Sequence, residues 1–174
     1  MNTKACMEII HSRKSVRAFT GENITQELLD EIVRAGMAAP SAVNMQPWEF
    51  VIVRDRAMLD RLGDGLPYAK MLYKASAAVI VCMDPAGAHD KMLEYAVIDA
   101  SCAAQNILLA TEALGLGACW TAAYPRPDRM VYVRRCLSIP EHILPLAVIP
   151  IGVPDGADQP KEKYKPEKIH RERW

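Results

Sequence analysis

The segment from residue 91 to residue 114 constrains the fold most, because it contains neither proline nor glycine and predicts one long helix. Gly115 and Gly117 follow it, and glycines in this position commonly end a helix. Its small residues cover more than one face of the helix: Ala96, Ala100, Ser101, Ala103 and Ala104. A helix with so little polar surface is buried. We therefore expect it at the centre of the domain or in a contact between subunits.

Shorter helices and strands flank this segment. Apolar periodicity predicts helices over 2–12, from the N-cap Thr25 to the stop at Pro40, over 56–62 and over 128–137. Aromatic and β-branched runs predict strands over 48–53, 76–83, 118–123 and 144–153. The strand at 76–83 is apolar almost throughout, so we expect it to be buried on both faces. Pro145 and Pro150 favour an edge or bulged position for the last strand.

The chain of 174 residues is long enough for one domain with a full core. Its composition changes after Pro154 to mostly polar and charged residues, among which Tyr164, Ile169 and Trp174 stand out. Two interpretations remain open for this tail: a disordered end, or an arm that covers another surface such as a second subunit. We divide the chain into a domain at 1–154 and a C-terminal arm at 155–174 that belongs to the same domain.

Composition and charge exclude several classes of partner. The 21 basic and 21 acidic residues cancel, which argues against binding to nucleic acid or to an anionic membrane through bulk charge. No apolar run approaches the ~20 residues of a membrane span, and the N-terminus lacks the apolar core of a signal peptide. The five cysteines form no CxxC motif, so a disulfide framework or a zinc site is not expected. These features favour the reducing cytoplasm.

Two groups of cations stand out against this neutral background. Residues 11–17 carry Arg13, Lys14 and Arg17 with the hydroxyl of Ser15 and contain no acid. Guanidinium and hydroxyl groups suit a phosphate, whose oxygens accept several charge-assisted hydrogen bonds at once. Lys161 and Lys163, at alternate positions of the tail, are a second pair that could close over an anion. A solvated loop and a solvated charge run are the alternatives.

Two further segments combine turn residues with groups that can contact a flat ligand. Pro40 and Pro47 enclose Ser41, Asn44 and Gln46, whose amides and hydroxyl can pair with a polar heterocycle. Plain turn chemistry is an equally good explanation of this loop. The segment 115–121 lies where the long helix turns into a strand, and its glycines allow backbone N–H groups to approach a ligand. A simple helix C-cap is the alternative there.

Taken together, these segments resemble the FMN-dependent nitroreductase family. Residues 13–17 are similar to its R-x-S-x-[RK] motif, and residues 40–48 to its P-S-x-x-N-x-Q-P-W motif. The helix with Asp99, Gln105 and Asn106, followed by Leu114-Gly115-Leu116-Gly117 and Trp120, resembles its central helix and flavin-facing turn. The Pro160-Lys161-Glu162-Lys163 segment also has a counterpart. The order of the motifs agrees over nearly the whole chain.

The resemblance implies an α+β fold, with a mostly antiparallel mixed sheet between helices and an obligate homodimer that exchanges C-terminal arms. It implies FMN at the dimer interface, with its phosphate held by Arg13, Ser15, Lys161 and Lys163 and with Arg17 near N1 and O2 of the ring. It also implies a cofactor contact from Lys14. The partner chain would contribute further contacts through Pro40, Ser41, Asn44 and Gln46. The backbone of the turn would contribute the last set, from Ala118, Cys119, Trp120 and Thr121. Lys163 departs from the arginine that is frequent in the family, and Cys119 from a small residue.

The implied activity is NAD(P)H-dependent reduction of nitroaromatic, quinone or similar small acceptors in a ping-pong cycle, with no catalytic side chain and no metal. The chemistry resides in the flavin. Two alternatives stay open: a specialised flavin-dependent dehydrogenase or dehalogenase of the same family, and a non-catalytic protein that binds or stores FMN. A basic patch of Arg126, Arg129, Arg134 and Arg135 either discriminates NADPH from NADH or is a solvated helix face.

Overall fold

A five-stranded sheet with helices on both faces forms the core of the described residues. The structure is a computed structural model that describes residues 6–156 and 158–174. The α-helices are α1 (Cys6–Ser12), α2 (Gln26–Met37), α3 (Arg56–Gly65), α4 (Leu93–Ala113) and α5 (Pro127–Leu137). The strands are β1 (Trp48–Val53), β2 (Ala77–Met83), β3 (Gly117–Ala118), β4 (Thr121–Ala122) and β5 (Leu144–Gly152). Short 3₁₀ turns lie at Ala42–Asn44, Lys70–Tyr73, Pro85–Gly87, His89–Lys91 and Pro166–Lys168.

The strand order is β1-β2-β5-β3, with β4 also pairing with β5. The described strand pairs are antiparallel, which confirms the predicted sheet type. The predicted edge position of the last strand is wrong, because β5 pairs with β2 on one side and with β3 and β4 on the other. The predicted bulge is present: Val81 faces Ala147 while Cys82 faces Pro145, so Leu146 is the extra residue.

The predicted burial of the second strand on both faces is confirmed in β2. Ala77, Val79, Val81 and Met83 point into the core layer beneath α2 and α4. Ala78, Ile80 and Cys82 point into the opposite layer, which α3 and α5 cover. Because successive side chains of a strand alternate between faces, a strand covered on both sides needs a continuous apolar run.

The long helix predicted at 91–114 is α4, and its predicted place at the centre of the domain is confirmed, whereas a contact between subunits stays a prediction. On its inner face, Ala96, Ala100 and Ala103 are fully buried against the sheet and α2. The approach of α2 is close, since a Cβ at Gly36 would lie 2.9 Å from the Ile107 side chain. On its outer face, Ile98 is 57% exposed. The helix therefore fills the centre of the domain and also leaves an apolar surface open.

The remaining elements agree with the sequence in outline. Thr25 caps α2, with its hydroxyl accepting a hydrogen bond from the Leu28 N–H at 3.4 Å. The predicted first helix begins at Cys6 within the described residues, and its positions 2–5 lie outside them. The predicted strand at 118–123 is divided into β3 and β4 by Cys119 and Trp120. Of the helices in the described residues, none has the length and apolar character needed to cross a bilayer.

Candidate functional site

The two cation groups predicted from opposite ends of the chain meet in one cavity of about 200 Å³. Its lining combines the cation loop, which we define as residues 13–17, with residues of the arm: Arg13, Lys14, Ser15, Arg17, Asp158, Gln159, Lys161 and Lys163. A larger cavity of about 570 Å³ shares Arg13, Lys161 and Lys163 with it and extends to His11 and Tyr164. The structure thus brings together all the residues predicted to hold a phosphate.

The sheet holds the cation loop through Val16. The Val16 N–H donates to the Ala118 carbonyl at 2.9 Å, and the Val16 side chain is 2% exposed. A Cβ at Gly117 would lie 2.7 Å from this side chain, so only glycine permits the contact. In extended backbone, neighbouring side chains point to opposite sides. Burial of Val16 therefore directs Ser15 and Arg17 towards the cavity.

Lys14 has a partner that the sequence did not indicate. Its Nζ lies 3.2 Å from Oε2 of Glu112, a carboxylate on α4 that is only 5% exposed. The Ser12 hydroxyl donates to Oε1 of the same carboxylate at 2.9 Å. These contacts fasten the start of the cation loop to α4 and balance the Lys14 charge. The role of Lys14 as a cofactor ligand stays a prediction.

Asp158 is an acid among the cations of the cavity, and sequence reasoning did not single it out. Its Oδ2 accepts a hydrogen bond from the Arg17 N–H at 3.4 Å. The two residues are 141 positions apart, so no local pattern could have indicated this contact. A carboxylate here lowers the positive potential of the cavity while fixing the backbone of Arg17.

Cys119 lies beside the cation loop and is buried. Burial raises the pKa of its thiol, and the Arg17 guanidinium, the Ser15 hydroxyl and the Arg13 guanidinium offset only part of that rise. Asp158 raises the pKa further. The thiol is therefore protonated at neutral pH, and the thiolate is the reactive form of cysteine. Cys119 therefore packs beside the cation loop as a buried, protonated thiol.

The turn between β3 and β4 presents one backbone donor. The Cys119 N–H donates to the Pro150 carbonyl at 3.4 Å, and the Thr121 hydroxyl donates to the Val148 carbonyl at 2.5 Å. The Trp120 N–H has no protein acceptor among residues 6–156 and 158–174. A backbone N–H without a partner is rare in a folded protein unless water or a ligand satisfies it. This turn matches the predicted presentation of an amide between residues 118 and 121.

Residues 41–46, which we name the amide loop, have a defined shape. The Ser41 hydroxyl accepts a hydrogen bond from the Gln46 N–H at 3.0 Å, and the Gln46 side-chain amide donates to Asn44 at 3.1 Å. Val43, Asn44 and Gln46 have positive φ angles of 51°, 59° and 54°. Each such residue costs about 1 kcal/mol of backbone strain. The loop lines neither cavity that contains Arg13, so a single chain does not join it to the cations.

Three of the four arginines in the predicted basic patch, at the start of α5 and along it, contact neighbouring groups. Arg126 pairs with Asp128 at 3.5 Å, and Arg129 donates to the Ala122 carbonyl at 3.2 Å. Arg134 donates to the Glu141 carbonyl at 2.5 Å. These contacts support the interpretation as a solvated helix face, and a role in distinguishing NADPH from NADH stays a prediction.

Comparison with known proteins decides the family. The model of the Nitroreductase family matches residues 10–66 and 63–153, which together cover most of the chain. The chain belongs to the nitroreductase family. A candidate NADH dehydrogenase/NAD(P)H nitroreductase of Methanothermobacter thermautotrophicus is 43% identical to it over 168 residues, which span 97% of this chain and 87% of that relative.

Solved structures of nitroreductase-family proteins share the fold. A candidate NADH dehydrogenase/NAD(P)H nitroreductase from Bacteroides thetaiotaomicron is 51% identical, with a TM-score of 0.93 over 98% of this chain and 99% of that chain. A candidate nitroreductase from Desulfovibrio desulfuricans, solved in complex with FMN, is 26% identical, with a TM-score of 0.83 over 98% of each chain. These matches confirm the predicted fold class and the predicted family.

Proposed function

We propose that this protein reduces nitroaromatic, quinone or similar small acceptors in a ping-pong cycle, and that two copies of the chain build each flavin site. The chain is an FMN-dependent oxidoreductase that takes its electrons from NADH or NADPH, in line with the names of its relatives. The observation that carries the assignment of the site is the meeting of the cation loop and the arm in one cavity.

The cavity fits the phosphate of FMN. Arg13, Ser15, Lys161 and Lys163 line it together and supply charge-assisted donors for a dianionic group. Lys163, in place of an arginine, keeps the charge but gives up the two-pronged geometry of a guanidinium. Lys14 contributes mainly by fastening the loop, since Glu112 balances its charge.

Arg17 and the Trp120 N–H would face the isoalloxazine ring. When bound, FMN supplies a ring that accepts a hydride and passes electrons on. A guanidinium beside N1 and O2 stabilises negative charge on that side, because a fixed cation in a shielded site interacts strongly with it. The Trp120 N–H would donate to a ring acceptor. The side chains therefore orient the ring and tune its charge, and none acts as an acid or a nucleophile.

A second copy of the chain would complete the site. An apolar groove of about 400 Å³ between α1, α2 and α4 is lined by residues that include Ile9, Ile10 and Leu109. Beside it, Met7 is 61% exposed and Met37 53% exposed. Apolar surface of this extent marks an interaction site. A partner that covers it would bring its own amide loop, with Pro40, Ser41, Asn44 and Gln46, to the flavin.

The domain at 1–154 and the arm at 155–174 take separate parts in this dimer. Hydrogen bonds at Thr20 and Asp155 fix the start of the arm on the domain. Beyond it, Tyr164 is 71% exposed and Trp174 fully exposed, which supports an arm that packs on the partner.

The proposed location of the protein is the cytoplasm. All the cysteines are free thiols, and a reducing compartment maintains them in that state.

Flavin retention tests the site. The Arg13→Ala/Lys161→Ala double variant should lose FMN during purification, whereas Arg61→Ala/Lys74→Ala, which removes two exposed cations outside the cavity, should retain it. Full flavin occupancy in the first variant would contradict the phosphate assignment.

Anaerobic spectroscopy tests the reaction. NADH or NADPH should bleach the flavin absorbance, and a quinone or a nitroarene should restore it. Absence of bleaching with both donors would favour FMN binding or storage over catalysis. Bleaching without reoxidation by either acceptor would favour a specialised dehydrogenase or dehalogenase.

A further inference from the structure

Asp99 lies on α4 beneath the amide loop and is almost completely buried. It is 3% exposed, and its Oδ1 accepts a hydrogen bond from the Ala42 N–H at 3.1 Å. Within the described residues, no other hydrogen bond joins α4 to residues 41–46. The position of the loop relative to the central helix therefore depends on this carboxylate.

The second carboxyl oxygen of Asp99 indicates that the residue is not present merely to fill space in the core. Oδ2 is buried and has no hydrogen-bond partner among the described residues. Burying a carboxylate with so few partners is costly, and native proteins seldom do it without a role for the group. The neighbouring inward positions of α4 are alanines, so an apolar side chain suits this layer. The hydrogen bond of the Asp99 carboxyl group to the loop is what an apolar side chain could not supply.

The amide loop needs such an anchor because its own bonds fix its shape but not its place. The contacts of Ser41, Asn44 and Gln46 lie within the loop, and three of its residues adopt left-handed backbone. A strained, exposed loop relaxes unless the surrounding structure holds it. The Asp99 carboxyl oxygen accepts from the Ala42 N–H at 3.1 Å, so Asp99 holds the start of the loop against α4.

We propose that Asp99 is a positioning residue for FMN. It sets the place of Ser41, Asn44 and Gln46 and acts through the amide loop, without contact to the cofactor. This inference rests on the proposed function, in which these three side chains reach a flavin. It gives a role to a residue of the central helix that the sequence pattern left without one.

The deciding variant is Asp99→Leu, which removes the acceptor while keeping the number and branching of the side-chain heavy atoms. The change leaves the Ala42 N–H without this acceptor, at a cost of about 1–3 kcal/mol, and urea unfolding of the FMN-free variant establishes that it folds. Its Kd for FMN should nevertheless rise by about tenfold or more, since three ligand side chains lose their preorganisation. Asp99→Ala serves as a second truncation with the same expected change in Kd.

Two controls separate positioning from general stability. Asp99→Asn retains an oxygen that can accept from the Ala42 N–H, so it should restore the Kd to within about threefold of the unsubstituted value. Thr111→Val removes another fully buried polar group of α4, whose hydroxyl donates to the Ile107 carbonyl, and should leave the Kd unchanged. Unfolding of the FMN-free variants in urea gives their stabilities for comparison.

Double variants test whether Asp99 changes the Kd for FMN through the amide loop. In the Asp99→Leu background, the further change Gln46→Ala or Asn44→Ala should add less than about twofold to the Kd, because coupled residues do not act independently. A folded Asp99→Leu variant with the Kd of the unsubstituted protein would overturn the role of Asp99 alone. Failure of the unsubstituted protein to bind FMN would overturn the proposed function and, with it, this inference.

Discussion

Lys14 and Glu112 form an ion pair between the cation loop and α4, with 3.2 Å between Nζ and Oε2. The lysine side chain is 26% exposed and the glutamate side chain 5% exposed, so the pair joins a partly buried cation to a buried carboxylate. Ser12 adds a hydrogen bond to the same group. The pair explains how a loop near the N-terminus keeps a fixed place at the end of the central helix.

Lys14→Met should therefore act mainly on stability. It removes the ion pair with the buried Glu112 carboxylate, and the free energy of unfolding should fall by about 2 kcal/mol, as for the loss of a charged hydrogen bond. Urea denaturation of the FMN-free protein measures this change. In the same variant, the affinity for FMN should fall less than in Arg13→Ala. An FMN loss equal to that of Arg13→Ala at unchanged stability would instead make Lys14 a direct ligand.

Removing the acid from the cavity should strengthen cofactor binding. Asp158→Asn abolishes a negative charge beside the predicted phosphate site, and the amide oxygen can still accept from the Arg17 N–H. For a partly solvated pair of charges, the gain is about 0.5 kcal/mol, or roughly a twofold lower Kd for FMN, and it should shrink at high salt. Asp155→Asn, an exposed acid outside the cavity, is the control. Weaker binding by Asp158→Asn would show that the carboxylate matters more for holding Arg17 than for its charge.

Buried thiols should make the protein unstable in alkali. Burial, with a smaller contribution from Glu49, raises the pKa of Cys82 to about 12 from the ordinary 9.0, and burial also raises the pKa of Cys119. The unfolded chain loses these protons first, so the stability present below pH 9.0 is lost as the pH rises towards about 12. Over this window the free energy of unfolding should fall by up to about 1.4 kcal/mol per pH unit through Cys82.

Urea unfolding at a series of alkaline pH values measures that slope. Cys82→Ala, which keeps the site small and apolar but carries no proton, should show a shallower loss of stability than the unsubstituted protein over the same range. Equal slopes in the two proteins would assign the alkaline loss to other groups, such as Tyr132, whose pKa burial also raises.

The sequence was most informative where the pattern is local. The absence of breakers over 91–114 predicted α4, and the apolar run at 76–83 predicted a strand buried on both faces. The motif at 40–48 indicated the amide loop, because its prolines, hydroxyl and amides stand close together. The cation groups at 13–17 and 161–163 were each visible, and one dianionic ligand was the reason to expect them together.

Contacts between distant positions were beyond such patterns. Glu112, Asp158 and Asp99 each bond a residue between 57 and 141 positions away, so no spacing rule could have indicated them. The central place of β5 was missed because its two prolines favoured an edge strand. Proline lacks a backbone N–H donor, but its carbonyl can still accept a hydrogen bond from a neighbouring strand. Pro150 still accepts from the Cys119 N–H, and Pro145 lies beside the bulge, where pairing is already irregular. Proline therefore marked the irregularity of the strand and not its position in the sheet.

The central claim is that two distant cation segments hold the phosphate of FMN, and comparison with riboflavin tests it most directly. Riboflavin has the same ring but no phosphate, so titration of the flavin-free protein with both ligands isolates the phosphate contribution. The unsubstituted protein should bind FMN at least about 100-fold more tightly than riboflavin, as expected for several charge-assisted hydrogen bonds. In Arg13→Ala/Lys161→Ala the two affinities should become nearly equal. Equal affinities in the unsubstituted protein, or a preference for FMN that survives in the double variant, would contradict the account.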